Sequence, residues 1–273
     1  MMDQWLCMRH KQPAFLSIMF FFQKVRRRRL RKKPFPADWI RMLEHNVPVY
    51  SRLSPADRQE LHGHIQVFIA EKYFEGCAGL AVTEEMRVTI GAQACILLLH
   101  RETNYYPKLV SILVYPGTYL AHHRERDSAG LVTEGIQHRQ GESWSHGTVV
   151  LSWDDVLAGA ADAQDGHNVV YHEFAHQLDI EDGRLADGSV ALPRGSMYGA
   201  WSRILGREYA ALKKDVAAGR KTVLDSYAAT SPAEFFAVAT ECFFEVPLLL
   251  KAKHPELYAE LKLYYKQDPA ALL

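Results

Sequence analysis

In the stretch "VVYHEFAHQLD" (169–179), His172 and His176 stand four residues apart and Glu173 follows directly after the first. On an α-helix, positions i and i+4 lie one above the other, so the two imidazoles can meet at one point. That is the bite a tetrahedral Zn²⁺ requires. Glu173 is turned about a quarter turn away, close enough to reach a water at such a metal without competing as a ligand. Two histidines would hold the ion, the metal would acidify water, and Glu173 would take the proton as general base. The pattern fixes only three residues. The alternative is a core helix whose histidines are merely hydrogen-bonded, with Phe174 and Leu178 burying its other face.

A catalytic zinc shell needs a third protein ligand and an open fourth position. The run "HQLDIEDGRLAD" supplies no further histidine, so the ligand must come from a distant segment. The stretch "DSYAATSPAEFFAVATECFFE" (225–245) offers Glu234 in the first turn of a helix, with Glu241 seven residues later on nearly the same side. Glu234 has a competing role. Ser231-Pro232-Ala233-Glu234 is a capping box with proline at the first helical position, so its carboxylate could bond the Ser231 N–H. Periodicity leaves ligand and cap both open, with Glu241 as the substitute ligand. Asp179, Glu181 and Asp182 follow His176 too closely to be ligands on a second element and read as hydrogen-bond partners of the histidines. The pairs His122-His123 and His62/His64 lack partners at metal spacing and read as surface or satisfied side chains. His138 and His146 precede a strand and could line the cleft or cap the metal in a resting form.

These groups need elements to carry them. Helical spacing with interruptions at prolines predicts helices over 34–50 and 53–74, the second capped by Ser54 with Pro55 at its start. A further helix is expected over 82–100. The β-branched runs "LVSILVYPGTYL" (109–120) and "TVVLSW" (148–153) predict strands, and the polar stretch between them predicts loop or edge strand. Helices then dominate: 167–180, about 196–218, 231–245 and 254–265. Together these give one α+β domain over 34–273.

Of the 273 residues, 48% are hydrophobic and 23% charged, an ordinary globular balance that needs no staples. Cys7, Cys77, Cys95 and Cys242 form no CxxC pair, so neither a disulfide framework nor a cysteine metal site is expected, and a cytoplasmic location fits. The zero net charge hides an asymmetry. Residues 1–33 carry ten Lys/Arg against the single acid Asp3, leaving 22 basic and 31 acidic side chains, a net of −9, in the remainder. The body is therefore not built to grip nucleic acid. Residues 1–33 read as a disordered basic extension. The apolar run "AFLSIMFFF" (14–22) is too short to span a bilayer, and no stable membrane association is expected.

The combination of "HEFAHQLD" with "YAATSPAEFFA", in which Tyr227 precedes Glu234 by seven residues, resembles the Mlc titration factor A (MtfA) zinc peptidases of bacteria. These are relatives of the catalytic domain of anthrax lethal factor. The likeness runs through "FEGCAGLAVTEEMRVTIGAQACILLLH" and "GESWSHGTVVLSW" and covers roughly 35–270. The resemblance implies a zincin-like, mostly helical fold with a small sheet whose edge strand, assigned to "TVVLSW", borders the active-site helix and pairs with peptide. It implies one Zn²⁺ per chain on His172, His176 and Glu234, Glu173 as base, Tyr227 as oxyanion stabiliser, and Glu241 behind the ligands. It further implies aminopeptidase-type activity and binding of the glucose repressor Mlc, which raises expression of sugar phosphotransferase genes. A non-catalytic, repressor-sequestering protein with a vestigial metal site is the alternative. The basic extension falls outside the family pattern on this reading.

Overall fold

Ser54, Thr83, Asn168 and Ser231 each precede a helical run, and in the computed structural model of the chain each side chain accepts a hydrogen bond from the backbone N–H three residues on. This is the capping geometry that satisfies an otherwise orphaned donor. The structure describes residues 12–117, 119–126, 132–139, 141–144, 147–161, 165–181 and 186–273, with side chains from residue 21 onward except over 119–144.

In chain order the elements are α1 (Gln12–Arg31), α2 (Ala37–Asn46), α3 (Val49–Arg52), α4 (Pro55–Glu71), β1 (Tyr73–Gly76), α5 (Glu84–Ile96), β2 (Ser111–Tyr115), β3 (Tyr119–Arg126), β4 (Val132–Arg139), β5 (Gly141–Trp144) and β6 (Thr148–Ser152). There follow α6 (Trp153–Ala161), α7 (Val169–Asp179), α8 (Tyr198–Ala217), α9 (Pro232–Glu245), α10 (Pro247–Lys253) and α11 (Pro255–Tyr265). The fold is mostly helical, with a four-stranded sheet in the order β1-β2-β6-β5 and a separate β3–β4 hairpin. The strands β1, β2 and β6 run parallel and β5 runs antiparallel to β6.

Three expectations change. The strand 148–152 is not the edge: β6 is paired on both sides, and β5 forms the border beside α7. The chain reverses at Gly147, whose φ is +84° and whose missing Cβ would fall 2.6 Å from Lys108 O, so only glycine fits the return. The helix expected to reach residue 74 stops at Glu71. Lys72 turns inward and donates from Nζ to the carbonyls of Tyr106 and Leu109, both at 2.7 Å, and the chain then pairs with β2 as β1. The basic segment is helical rather than disordered from Gln12 to Arg31, because Arg27 reaches Glu71 on α4 with two guanidinium nitrogens and stacks over Tyr105 at 4.8 Å. Residues 1–11 lie outside the described residues.

The core forms behind α7. Phe174 packs against Tyr106 at 4.9 Å and Phe68 at 5.6 Å between ring centroids, which presses the rear of the helix onto α4 and α5. From Val88 to Ile96, α5 is buried on every face, as a helix enclosed by others must be. The next-lying helix, α9, buries Phe236, Ala237 and Ala239 completely. The side of α7 left partly open carries His172 and His176.

Candidate metal centre

Of the capping box at Glu234, the serine half is formed, and the glutamate carboxylate is turned toward α7. The Glu234 backbone N–H is capped by Ser231 Oγ at 3.1 Å, while its carboxylate faces the imidazoles of α7. Glu234 Oε2 lies 3.0 Å from His172 Nε2 and 3.3 Å from His176 Nε2, and the two Nε2 atoms are 3.3 Å apart. Donors about 2.0–2.1 Å from a tetrahedral centre sit about 3.3–3.4 Å from one another. Two edges of the observed triangle match that spacing and the third, at 3.0 Å, is shorter.

What stands behind the triangle fixes its chemistry. His172 Nδ1 is 2.7 Å from Glu241 Oε1, so a neutral imidazole donates there and turns its Nε2 lone pair toward the other two acceptors. Three acceptor atoms converging at hydrogen-bond distance repel one another unless a cation or a shared proton lies between them. Considered as side chains alone, the proton is the answer. Burial opposes a charged His172, but its bonds to Glu234 and Glu241 outweigh that and hold its pKa well above the ordinary value. Burial likewise opposes ionisation of Glu234, yet the two histidines hold its carboxyl well below the usual range. The donor set, two imidazoles and one carboxylate, fits Zn²⁺ in composition and spacing.

Glu241 does more than orient one ring. Its Oε2 accepts from Asn168 N at 2.7 Å, so a single carboxylate holds the N-cap of α7 and the imidazole one turn later. The Asn168 Nδ2 group then reaches Gln93 Oε1, Gly159 O and Glu245 Oε1 at 2.9–3.2 Å. Sequence reasoning missed Asn168, Gln93 and Glu245. Only Asn168 left a signal, since asparagine before a helical run is a favoured cap.

Glu173 is 4% exposed, and its charge acts on the adjoining His172. Tyr227, 53% exposed, sits on a 3₁₀ turn over 226–229 pinned by Asp225, which accepts from the Tyr227 N–H at 2.7 Å. Its ring centroid is 6.1 Å from that of His172. Asp179 takes up Gly188 N at 2.8 Å. Gly188, at φ +76°, also accepts from Trp201 Nε1, and a Cβ there would lie 2.7 Å from Pro232 O. Asp179 thus seats a loop against the first residue of α9, the turn that carries Glu234. Glu181 N closes the end of α7 on Leu178 O. Asp182, His146 and the side chains of His122, His123 and His138 lie outside the described residues.

A second His/carboxylate group, Asp57, Glu60 and His100, also has converging ligand atoms. Here the groups satisfy one another: His100 Nε2 meets Asp57 Oδ1 at 2.6 Å, and Glu60 Oε1 takes the His100 N–H and His64 Nε2, each at 3.2 Å. His64 and His62 are satisfied as expected, the former also by Tyr105 Oη and the latter by Tyr50 Oη. Cys77, Cys95 and Cys242 are free thiols.

Two helix-borne histidines, an adjoining buried glutamate and a carboxylate from a facing helix are the parts of a metallopeptidase-like centre. The comparisons agree with that class. The model of the glucose-regulated metallo-peptidase M90 family matches residues 22–266, and the chain belongs to that family. The match takes in the basic half of α1, so residues 22–33 are part of the family pattern and not an addition to it. An uncharacterized protein of Synechocystis sp. is 41% identical, covering 89% of each chain. Mlc titration factor A of Serratia proteamaculans is 32% identical over 83% of this chain and 86% of its own, and that of Pectobacterium atrosepticum 31% identical over 86% and 90%.

Proposed function

We propose that the chain is a zinc-dependent peptidase of aminopeptidase type, formed by one catalytic unit over 34–273 and acting in the cytoplasm. The convergence of His172 Nε2, His176 Nε2 and Glu234 Oε2 within 3.3 Å carries the proposal. These three residues would hold one Zn²⁺. Zinc bound by such a set supplies the Lewis acidity that makes water nucleophilic near neutral pH. Glu173 accepts the proton of the attacking water at its carboxylate and returns it to the departing amine. Tyr227 donates its hydroxyl to the carbonyl oxygen as negative charge grows there. The backbone edge of β5 beside α7 is the strand on which an extended peptide would lie.

The relatives' name, Mlc titration factor A, favours a second role that can share the molecule: binding and inactivation of the repressor Mlc, with consequent control of sugar phosphotransferase genes. If that role is the whole function, the metal site is vestigial. Glu173→Gln separates the readings. Hydrolysis of aminoacyl p-nitroanilides should fall by at least about a hundredfold with zinc retained, because only the base is lost. Unchanged hydrolysis sinks the mechanism, and absence of hydrolysis in both proteins alongside intact Mlc binding selects the sequestering role.

A further inference from the structure

The α1 helix is divided along its length in a way that neither the metal centre nor peptide hydrolysis uses. Its C-terminal half is fixed to the body. Arg27 holds Glu71 and Asn104, Arg26 donates to Ala70 O, Leu30 packs against the core, and Arg31 lies over Gly63, where an added Cβ would stand 3.2 Å from its Cγ. On the opposite side Lys24, Arg28, Arg29, Lys32 and Lys33 are exposed, with no carboxylate in ion-pair range among the described residues. Phe21 and Phe22 stand on that same outward side, 63% and 65% exposed. Phe21, Lys24 and Arg28 are spaced three and four residues apart, one stripe of the helix, with Phe22 and Arg29 on the adjoining one, and Lys32 and Lys33 follow just beyond its end.

Upstream, the sequence from Ala14 to Phe22 is apolar but for Ser17, about 13 Å of helix at 1.5 Å per residue. No helix among the described residues is long and apolar enough to cross a membrane. A short apolar end followed by an outward basic stripe is the order of chemistry met on entering a bilayer obliquely: acyl boundary first, anionic headgroups alongside. A nucleic acid would engage the basic stripe but leave the exposed rings of Phe21 and Phe22 in water. We infer that α1 is a peripheral docking element for an anionic lipid surface, with Phe21, Phe22 and the segment before them entering the interface and Lys24, Arg28, Arg29 and Lys32 meeting lipid phosphates. The contact is reversible, because the apolar segment is short and the rest of the attraction is screened by salt.

The test is flotation of the full chain with phosphatidylcholine vesicles, with and without phosphatidylglycerol. Wild type should float with the anionic vesicles only, and should be released by high salt. Arg28→Glu/Arg29→Glu should weaken recovery at least about tenfold. Phe21→Ser/Phe22→Ser, which keeps every charge, should do the same while leaving circular dichroism and zinc content unchanged, since both rings are already exposed. Equal binding to neutral vesicles, or full binding by the Phe21/Phe22 variant, overturns the inference. So does binding of duplex DNA by wild type without any vesicle binding, which would give the stripe to nucleic acid. None of these outcomes touches the peptidase reading, which concerns α7 and α9.

Discussion

Two clusters among the described residues are built from the same residue types and bring their ligand atoms together, but their hydrogen bonds are arranged differently. In His172/His176/Glu234 the acceptors face one another, because Glu241 takes the back of one imidazole and Ser231 takes the backbone of the carboxylate residue. In Asp57/Glu60/His100 each acceptor already has a donor inside the cluster or from His64, and His100 Nδ1 is bonded to Lys266 O. Spacing alone would nominate both groups. In the first cluster one carboxylate oxygen faces two imidazole nitrogens, whereas in the second it faces one, and Glu60 is occupied by the His100 N–H and His64.

The largest break in this contrast should come from Glu234→Ala. Zinc measured by mass spectrometry on protein purified without added metal should drop from about one per chain to nearly none. Asp57→Ala/His100→Ala should leave it unchanged, and equal loss in both variants would refute the distinction. A smaller effect is expected from Glu241→Gln, which preserves shape but removes the charge that fixes the His172 tautomer. Zinc affinity in competition with a chelator should weaken about 10- to 100-fold, and an unchanged affinity would remove Glu241 from the site. Gly188→Ala comes next. Its φ of +76° and the close Pro232 carbonyl predict about 1–3 kcal/mol of destabilisation in urea, with weaker zinc retention as the Glu234 turn shifts. Destabilisation without any change in zinc would show that the loop does not position Glu234.

The smallest effect belongs to the self-satisfied cluster. Burial opposes charge on His100, but its bonds to Asp57 and Lys266 raise its pKa above the ordinary 6.5. That stabilisation is fully present below pH 6.5 and is lost as pH rises through the folded value. Asp57 is also opposed by burial, yet bonds to His100 and Ser54 lower it from 3.8, so its share is lost only as pH falls through a value below 3.8. His100→Gln should flatten the decline in stability above pH 6.5, an effect under about 1 kcal/mol for so exposed a pair. An identical pH profile in the variant would assign the decline to other groups.

Much of the candidate centre was legible because its signals are local. His172, Glu173 and His176 sit within one helical turn of each other, and Ser231-Pro232 marks the start of α9 at the turn that carries Glu234. Whether the Glu234 carboxylate turns back to Ser231 or faces α7 was not local, since its partners there are His172 and His176. The same holds for Asn168, whose bond to Glu241 joins residues 73 apart. β1 was hidden for a related reason: Tyr73–Gly76 continues a helical pattern and becomes strand only by pairing with Ser111–Val114. The polar stretch over 119–139 lacks hydrophobic alternation, and its hairpin rests on backbone pairing from Tyr119↔Arg139 to Arg126↔Val132. At the basic segment, composition suggested disorder because charge counting does not see Glu71 waiting on α4.

The double grip of Glu241 on α7 has a mechanical consequence. One oxygen holds Asn168 N and the other His172 Nδ1, so the two helices are keyed to each other along their axes. Sliding α7 by a single residue, about 1.5 Å, breaks both bonds at once and misaligns three donors that must stay near 3.3 Å. The helix pair is therefore a fixed jig that resists shear.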